Sequence, residues 1–454
     1  MNKRLHIWRE WVRAYWDRIE EYPELFPLLC RMYFFDFYKG RNMEVTSGSG
    51  AEPCPPPTLA DSAAGAVEGD VLFVAQSPRD NCFGVIRRLI NQLQGDAPQI
   101  RSIIFQTQRN IVVPRGAEKG LPPVITYREK VRFPPVCRLL RLTSVIWYEG
   151  MKVPRVRKCI IRHPVEVMLH AVKILIRFPQ IEKLLADAKV KMVVAPNEVT
   201  AEASLLFPVA RRMGIKTVQY LHGTPNRLFV PFISDEFWVW SEVAGQMLTG
   251  DRRDGRVVPI GSLEHSDCAV VRSDNTPAGN SSGPRILFLS QIKGDQGWQI
   301  SAFGRAAERV ARIVSAAADT ELRVRQHPHE GDEEHRRLEE IFKDTHWQRS
   351  SCATSLDEDI AWATHIYTAS STGILAGLAA GKPCYLLWDD ELDDIHRRPF
   401  FPEDYVVRTD EQMRRSLSRA WSASESQSIL TGISGTPGSL QRAVQRIKQI
   451  AGSC

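Results

Sequence analysis

Four short stretches of this 454-residue chain carry residue types able to move a proton or hold a phosphate, and each follows an apolar run. HGTP (222–225) comes directly after KTVQYL: a titratable ring, a permissive backbone, a hydroxyl and a rigid turn. His222 could act as a general base or bind a phosphate oxygen, with Gly223 and Thr224 shaping the turn beside it. Asn197 and Glu198 follow KMVVAP (191–196). Glu198 could deprotonate a hydroxyl, or could equally be a first-turn glutamate favoured by a helix dipole. His327, Pro328 and His329 follow LRVRQ (322–326), where the proline restricts the residue before it and so fixes the His327 imidazole. Arg323 and Arg325 add positive charge beside it, although alternate residues of a strand share one face and could simply be surface. Ser370, Ser371, Thr372 and Gly373 follow HIYTA (365–369) and open an apolar helical pattern. Hydroxyls and free backbone N–H groups at a helix start suit a phosphate or diphosphate, although a serine there can also be a simple cap. Gln291 and Lys293, just past RILFLS (285–290), complete the set of candidate binding residues with His327 and Pro328.

Chemistry of this kind needs a frame that brings distant loops together. DVLFVA (70–75), RSIIFQ (101–106), KMVVAP, KTVQYL, FWVW (237–240) and VVPIG (257–261) read as strands. So do RILFLS, LRVRQ, HIYTA and CYLLW (384–388) further on. Helical patterns lie between them: 165–185, 199–213 with an interruption at Pro208, a helix with Ile300, Phe303, Ala307, Val310 and Val314 on one face, and 373–380. Strands separated by helices of 10–15 residues mean βαβ units and parallel sheets. Two low-complexity stretches, 46–69 and 272–284, are rich in Gly, Pro, Ser and Ala and read as linkers. The expected organisation is a helical N-terminal extension (1–45), a linker (46–69), a Rossmann-like domain (70–271), a linker (272–284) and a second Rossmann-like domain (285–454). In such a double-Rossmann α/β architecture the four candidate stretches all fall at carboxyl ends of parallel strands, facing a cleft, where open α/β sheets bind ligands. No internal sequence repeat accompanies the doubling.

Composition narrows the classes. Hydrophobic content of 43% with 25% charged residues is that of a globular protein. No apolar run approaches the length that spans a bilayer, and the opening MNKRLHIWREWVRAYWDR lacks the apolar core of a secretory signal. Nine cysteines with no CxxC pair argue against a zinc site or a disulfide framework, and a cytoplasmic location follows as the expectation. Neither GxxxxGK[ST] nor GxGxxG is present after the expected strands, which removes support from ATP hydrolysis and NAD chemistry. WDDELDDIH (388–396) has no defined ligand spacing and reads as a solvated acidic face, so no metal and no cofactor are expected. The His-Pro at 163–164 reads as a helix start.

Charge is uneven along the chain. The net charge is +6, yet Arg128 to Arg177 holds twelve Lys/Arg against three Glu, interleaved with apolar side chains such as Leu139, Leu140, Ile146 and Trp147. Such a stretch could meet a membrane surface or an anionic acceptor, or could be a solvated face. The aromatic residues Trp8, Trp11, Tyr15 and Trp16 have helical spacing and suggest a docking helix. No groove-reading motif is present and no nucleic-acid partner is expected.

Taken together, GIKTVQYLHGTP in the first domain and RQHP then DEDIAWATHIYTASSTGILAGLAAGKPCYLL in the second resemble a GT-B glycosyltransferase. More narrowly, they are similar to bacterial surface-polysaccharide transferases of the capsule or lipopolysaccharide type. These are the CMP-sialic acid and CMP-Kdo transferases with His-Pro and Ser-Ser motifs, and the CDP-glycerol glycerophosphotransferases with HGTP. The resemblance covers roughly residues 190–390. It implies that His327, Ser370 and Ser371 hold the nucleotide phosphates and that His222 sits near the transferred group. The sialyltransferase pattern has an acidic pair followed by glycine where this chain has Asn197-Glu198-Val199; the glycerophosphotransferase pattern has a lysine after HGTP where this chain has Asn226-Arg227. The resemblance thus implies transfer of an acidic sugar such as Kdo or sialic acid from a CMP-activated donor to a surface glycan or glycolipid, without a metal, at the inner face of the cytoplasmic membrane. Glu198 or His222 would be the base. A CDP-glycerol-type polyol phosphotransferase, a nucleotide-sugar epimerase and a non-catalytic nucleotide-binding scaffold are the alternatives on the same fold.

Overall fold

A computed structural model describes residues 15, 18–19, 21–22, 25–30, 68–75, 83–106, 122–125, 136–196, 203–226, 229–230, 232–249, 256–265, 283–291, 299–317, 319–327, 330–350, 354–396 and 398–452. Most of both expected linkers, and Glu198, Lys293 and Pro328, lie outside the described residues. The strands are β1 (Val71–Ala75), β2 (Ser102–Gln106), β3 (Val124–Ile125), β4 (Met192–Ala195), β5 (Lys216–Tyr220), β6 (Glu236–Val239) and β7 (Val257–Pro259), then β8 (Arg285–Leu289), β9 (Glu321–Arg325), β10 (Trp347–Arg349), β11 (His365–Thr368), β12 (Cys384–Leu387) and β13 (Val406–Val407). They form two sheets in which every pairing is parallel, ordered β3-β2-β1-β4-β5-β6-β7 and β10-β9-β8-β11-β12-β13. Numbered within each sheet, both begin 3-2-1-4-5-6, the doubly wound order whose direction reverses between strands 1 and 4. The two halves share a topology without sharing a sequence.

Burial on both faces explains why the central strands are continuous apolar runs. Along β1, Leu72 and Val74 pack into one buried cluster while Val71, Phe73 and Ala75 pack into another on the opposite face. Helix Pro164–Asp187 closes the first face with Val167, Ala171, Ile174, Phe178 and Ile181, a stripe set by the helical period. Pro164 occupies its first turn, where no N–H is missed. Tyr15, Leu25, Phe26 and Leu29 of the N-terminal region bury in the same cluster, and the Tyr15 hydroxyl donates to the Ile146 carbonyl at 3.0 Å. Helix Val85–Asp96 covers the other face. Pro208, expected to interrupt a helix, lies inside the continuous helix Ala203–Arg212 and is buried there, so tertiary packing outweighs the lost hydrogen bond.

The second domain builds its core around helix Gln299–Ser315, whose Phe303, Ala307, Val310 and Val314 are buried as the periodicity predicts. That core is continuous with the first domain: Leu221, Phe229, Trp240 and Met247 belong to the same buried cluster. The chain then returns. Helix Ser439–Gly452 packs Ala443, Val444, Ile447 and Ala451 against helix Val85–Asp96 and the first sheet. Arg442 Nε donates to the Ile260 carbonyl at 2.8 Å, Arg446 Nε to Glu236 at 3.1 Å, and Ser439 Oγ to the Ser262 carbonyl at 2.9 Å. At the crossing, Gly435 adopts φ +83° and Gly261 φ +102°. A Cβ at 435 would collide with the Trp240 carbonyl and lie 2.9 Å from the Gly261 Cα, so the two backbones pass each other only as glycines.

Candidate active site

In the first domain the site is set by the exits of β4 and β5, which are neighbours in the sheet. Past Tyr220 the backbone is held by the Leu221 N–H to the Trp238 carbonyl at 2.8 Å and by the Trp240 indole N–H to the Leu221 carbonyl at 3.2 Å. Gly223 then turns the chain at φ +82°. His222 is left half-buried, edge-on to Phe229 with ring centroids 6.2 Å apart. Its Nδ1–H donates to the Pro196 carbonyl at 2.7 Å. A carbonyl only accepts, so the proton sits on Nδ1 and the neutral ring keeps a lone pair on Nε2. Burial pulls the imidazole below its ordinary 6.5, against the Pro196 carbonyl and the charge of Glu264, which both raise it. The ring is therefore neutral near pH 7 and able to accept a proton. Pro196 lies two residues before Glu198, so the loops that carry the two candidate bases meet, although Glu198 itself is outside the described residues.

Glu264 was not singled out in the sequence. It follows β7 in GSLEH, another strand-end stretch, and that placement was the available signal. Its Oε2 stands 3.3 Å from His265 Nε2, while Oε1 is buried with no hydrogen-bond partner. Ser262 Oγ accepts from the Glu264 and His265 N–H groups at 3.3 and 3.2 Å, and Arg88 Nη2 donates to the Leu263 carbonyl at 2.9 Å. The loop is fixed from both sides.

In the second domain three adjacent strands, β9, β8 and β11, deliver their exits side by side, with the change of winding between β8 and β11. Ser370 Oγ donates to Gln291 Oε1 across that point, joining two of the sequence-predicted residues. Thr368 Oγ1 donates to the Leu289 carbonyl at 2.9 Å and accepts from the Ser371 N–H at 3.1 Å. Ser371 Oγ in turn accepts from the Gly373 N–H at 3.3 Å, and Thr372 stands at the N-terminal boundary of helix Gly373–Ala379. His327 is half-buried; its N–H donates to Glu330 Oε2 at 3.1 Å and its carbonyl accepts from the Glu330 N–H at 2.8 Å. Ser290 Oγ donates to Glu330 Oε1 at 2.9 Å. Glu330 and Ser290, which the sequence did not point to, thus tie the His327 turn to the exit of β8.

Two expectations are corrected. Arg323 and Arg325, alternate residues of β9, are expected from the sequence to add positive charge or to be plain surface. Both instead pair with the fully buried Asp359, at 3.1 and 2.6 Å, with Ser350 Oγ also on that carboxylate. The acidic stretch 388–396 is not a solvated face throughout. Asp389 takes Arg305 in a bidentate pair at 2.6 and 2.8 Å, and Asp393 accepts the Trp388 indole N–H at 2.8 Å. Among the described residues no three His, Cys, Asp or Glu side chains stand together as a metal site would need.

The same stretch closes the seam between the domains. His396, 2% exposed, donates from Nδ1 to the Pro225 carbonyl at 2.8 Å, so the second domain grips the HGTP loop directly.

No protein-family profile matches the chain, and no curated protein matches its sequence. Solved structures do resemble it. A glycosyltransferase from Rickettsia africae ESF-5 superposes with a TM-score of 0.54 at 12% identity, covering 85% of this chain and 100% of its own. Staphylococcus aureus MnaA in complex with UDP gives 0.49 at 12% identity over 85% and 98% of the two chains. Acinetobacter baumannii MurG gives 0.46 at 12% over 84% and 99%. At such identity the likeness extends to the fold. Two parallel, doubly wound sheets meeting at a seam, with the last helix returned to the first sheet, give this chain the two-domain GT-B fold.

Proposed function

We propose that the protein is a glycosyltransferase that moves an acidic sugar, of the Kdo or sialic acid kind, from a CMP-activated donor to a surface glycan or glycolipid. The observation that carries this reading is the placement of a neutral, tautomer-fixed His222 at the seam, gripped from the domain that holds the Gln291–Ser370 pair at its switch point. The second domain binds the nucleotide through Gln291, Lys293, His327, Pro328 and Ser370 to Gly373. Hydroxyls and backbone N–H groups there stabilise the departing phosphate, so no metal or cofactor is required.

In the transfer step the acceptor oxygen bonds to the anomeric carbon as the bond from that carbon to the phosphate oxygen breaks. The electron pair leaves with CMP. The acceptor proton passes to His222 Nε2, with Nδ1–H held on Pro196, or to the Glu198 carboxylate. Gly223 and Thr224 line the turn that carries His222. The acceptor is glycan or lipid-linked and is met at the inner face of the cytoplasmic membrane.

The test is thermal stabilisation by CMP, CDP, UDP, GDP and their conjugates, since a ligand at 100 times its Kd adds about 2.7 kcal/mol to the native state. Selective stabilisation by CMP and a CMP-sugar, followed by CMP release with acceptor present and EDTA added, is expected. Turnover of CDP-glycerol alone would transfer the reading to a polyol phosphotransferase, and interconversion of a UDP-sugar without an acceptor to an epimerase. Nucleotide binding without turnover of any donor would leave a scaffold, and silence toward all nucleotides would overturn the proposal.

A further inference from the structure

Outside the seam, the most unusual surface among the described residues lies on the three helices Val136–Lys152, Pro154–Arg162 and Pro164–Asp187. Nine large hydrophobic side chains are exposed among the described residues, and eight of them belong to these helices. On the first helix Val136, Leu140, Trp147 and Met151, 40% to 70% exposed, recur at i, i+4, i+11 and i+15. They form a single stripe, roughly opposite the buried Leu142, Ile146 and Glu149. Tyr148 extends the stripe, Ile161 adds to it from the second helix, and Val165 and Leu169 recur at i, i+4 on the third. Scattered exposed leucines need no explanation, whereas a concentration of this kind does.

Cations outnumber carboxylates around these side chains. Arg141, Arg157, Arg162 and Lys173 are exposed on the same three helices. The carboxylates of these helices are paired: Glu149 is buried beside Lys152 at 2.8 Å and Arg18 at 3.4 Å, Glu166 sits 4.0 Å from His163, Glu182 pairs with Arg212, and Asp187, at the far end of the third helix, pairs with Lys183 at 2.6 Å. No helix of the described residues is long and apolar enough to cross a membrane. An apolar stripe rimmed by cations, on helices too polar to insert across a bilayer, matches the interfacial pattern in which apolar side chains enter the head-group boundary and Lys/Arg meet anionic lipid. We infer that the exposed face of these three helices is a docking surface for an anionic lipid bilayer.

This gives the membrane contact of the proposed function a location, and rests on that reading only for the lipid-linked nature of the acceptor. Sedimentation of the full-length protein with vesicles, without donor, tests it separately from catalysis. Binding is expected to vesicles containing phosphatidylglycerol and not to phosphatidylcholine alone, weakening as salt rises. Each of Arg141→Glu, Arg157→Glu and Lys173→Glu should lower partitioning at least about fivefold, the equivalent of one basic contact. Trp147→Glu and Leu169→Glu should abolish it while the melting temperature and nucleotide response stay unchanged, because these side chains are exposed. Equal binding to both vesicles, or none to either, would overturn the inference. So would a dimer in solution that Trp147→Glu dissolves, or a preference for nucleic acid over lipid.

Discussion

Acid should loosen the seam through His396. Its imidazole is fully buried, donates to Pro225, and is drawn down to about 4 from an ordinary 6.5 by burial. The neutral ring is the form the fold accepts. With the folded value depressed, stability from this group is complete above pH 6.5 and is lost as pH falls toward 4. The linkage relation between those two values gives a loss of about 2 kcal/mol by roughly pH 5 and a limit of about 3 kcal/mol. His365, also drawn to about 4 by burial, adds a loss over the same window. Replacing His396 with Asn separates the two, because the Asn amide places an N–H where Nδ1 stands and does not titrate. Urea denaturation of wild type and H396N across this pH range is the assay. The variant should resemble wild type more closely as pH falls, gaining about 2 kcal/mol on it between neutrality and roughly pH 5. Parallel stability curves would refute the reasoning, since they would mean that His396 takes up its proton without disturbing the fold.

Three further outcomes follow from the site and the crossing. His222→Asn keeps a donor for the Pro196 carbonyl and removes Nε2; sugar transfer should fall about 10²–10⁴-fold with nucleotide stabilisation retained, and an unaffected rate would pass the base role to Glu198. With His222 in place, Glu264→Gln removes a charge that raises the His222 pKa, so the acid limb of the transfer-rate profile should move to lower pH; an unmoved limb would show that His222 does not govern it. Gly435→Ala should destabilise by about 1–3 kcal/mol through its positive φ and the Trp240 carbonyl, read as a lowered denaturation midpoint, whereas an unchanged midpoint would mean that the crossing relaxes freely.

The central strands were legible because a parallel strand buried on both faces must be apolar throughout, and VLFVA, MVVA and CYLL are. Strands β3, β10 and β13, two or three residues each at or near sheet edges, carry no such run and went unread. Strand ends were legible as candidate sites from the fold rule alone, and His222, Gln291, His327 and Ser370 lie where that rule puts them. Their partners were not. Asp359 neutralises arginines 34 and 36 residues away, and Glu330 and Ser290 meet across 40. Pairings at such separations depend on register, which no local pattern encodes. Glu264 escaped for a related reason: its significance lies in an unpartnered oxygen and a nearby imidazole, both visible only once β7 is seated in the sheet.

The returning helix Ser439–Gly452 also changes what counts as a module in this protein. Its apolar face completes the first domain, though it follows the whole of the second in the chain. A chain cut between the halves would leave the Ile86–Leu89 face of the first domain bare and give the second a helix with nothing to cover. Recombination that exchanges one second domain for another must therefore splice at two points, before β8 and at the glycine crossing, and keep the returning helix with its amino-terminal host. Single-junction chimeras should fail for want of that helix's matching surface, whatever loops their strand ends carry.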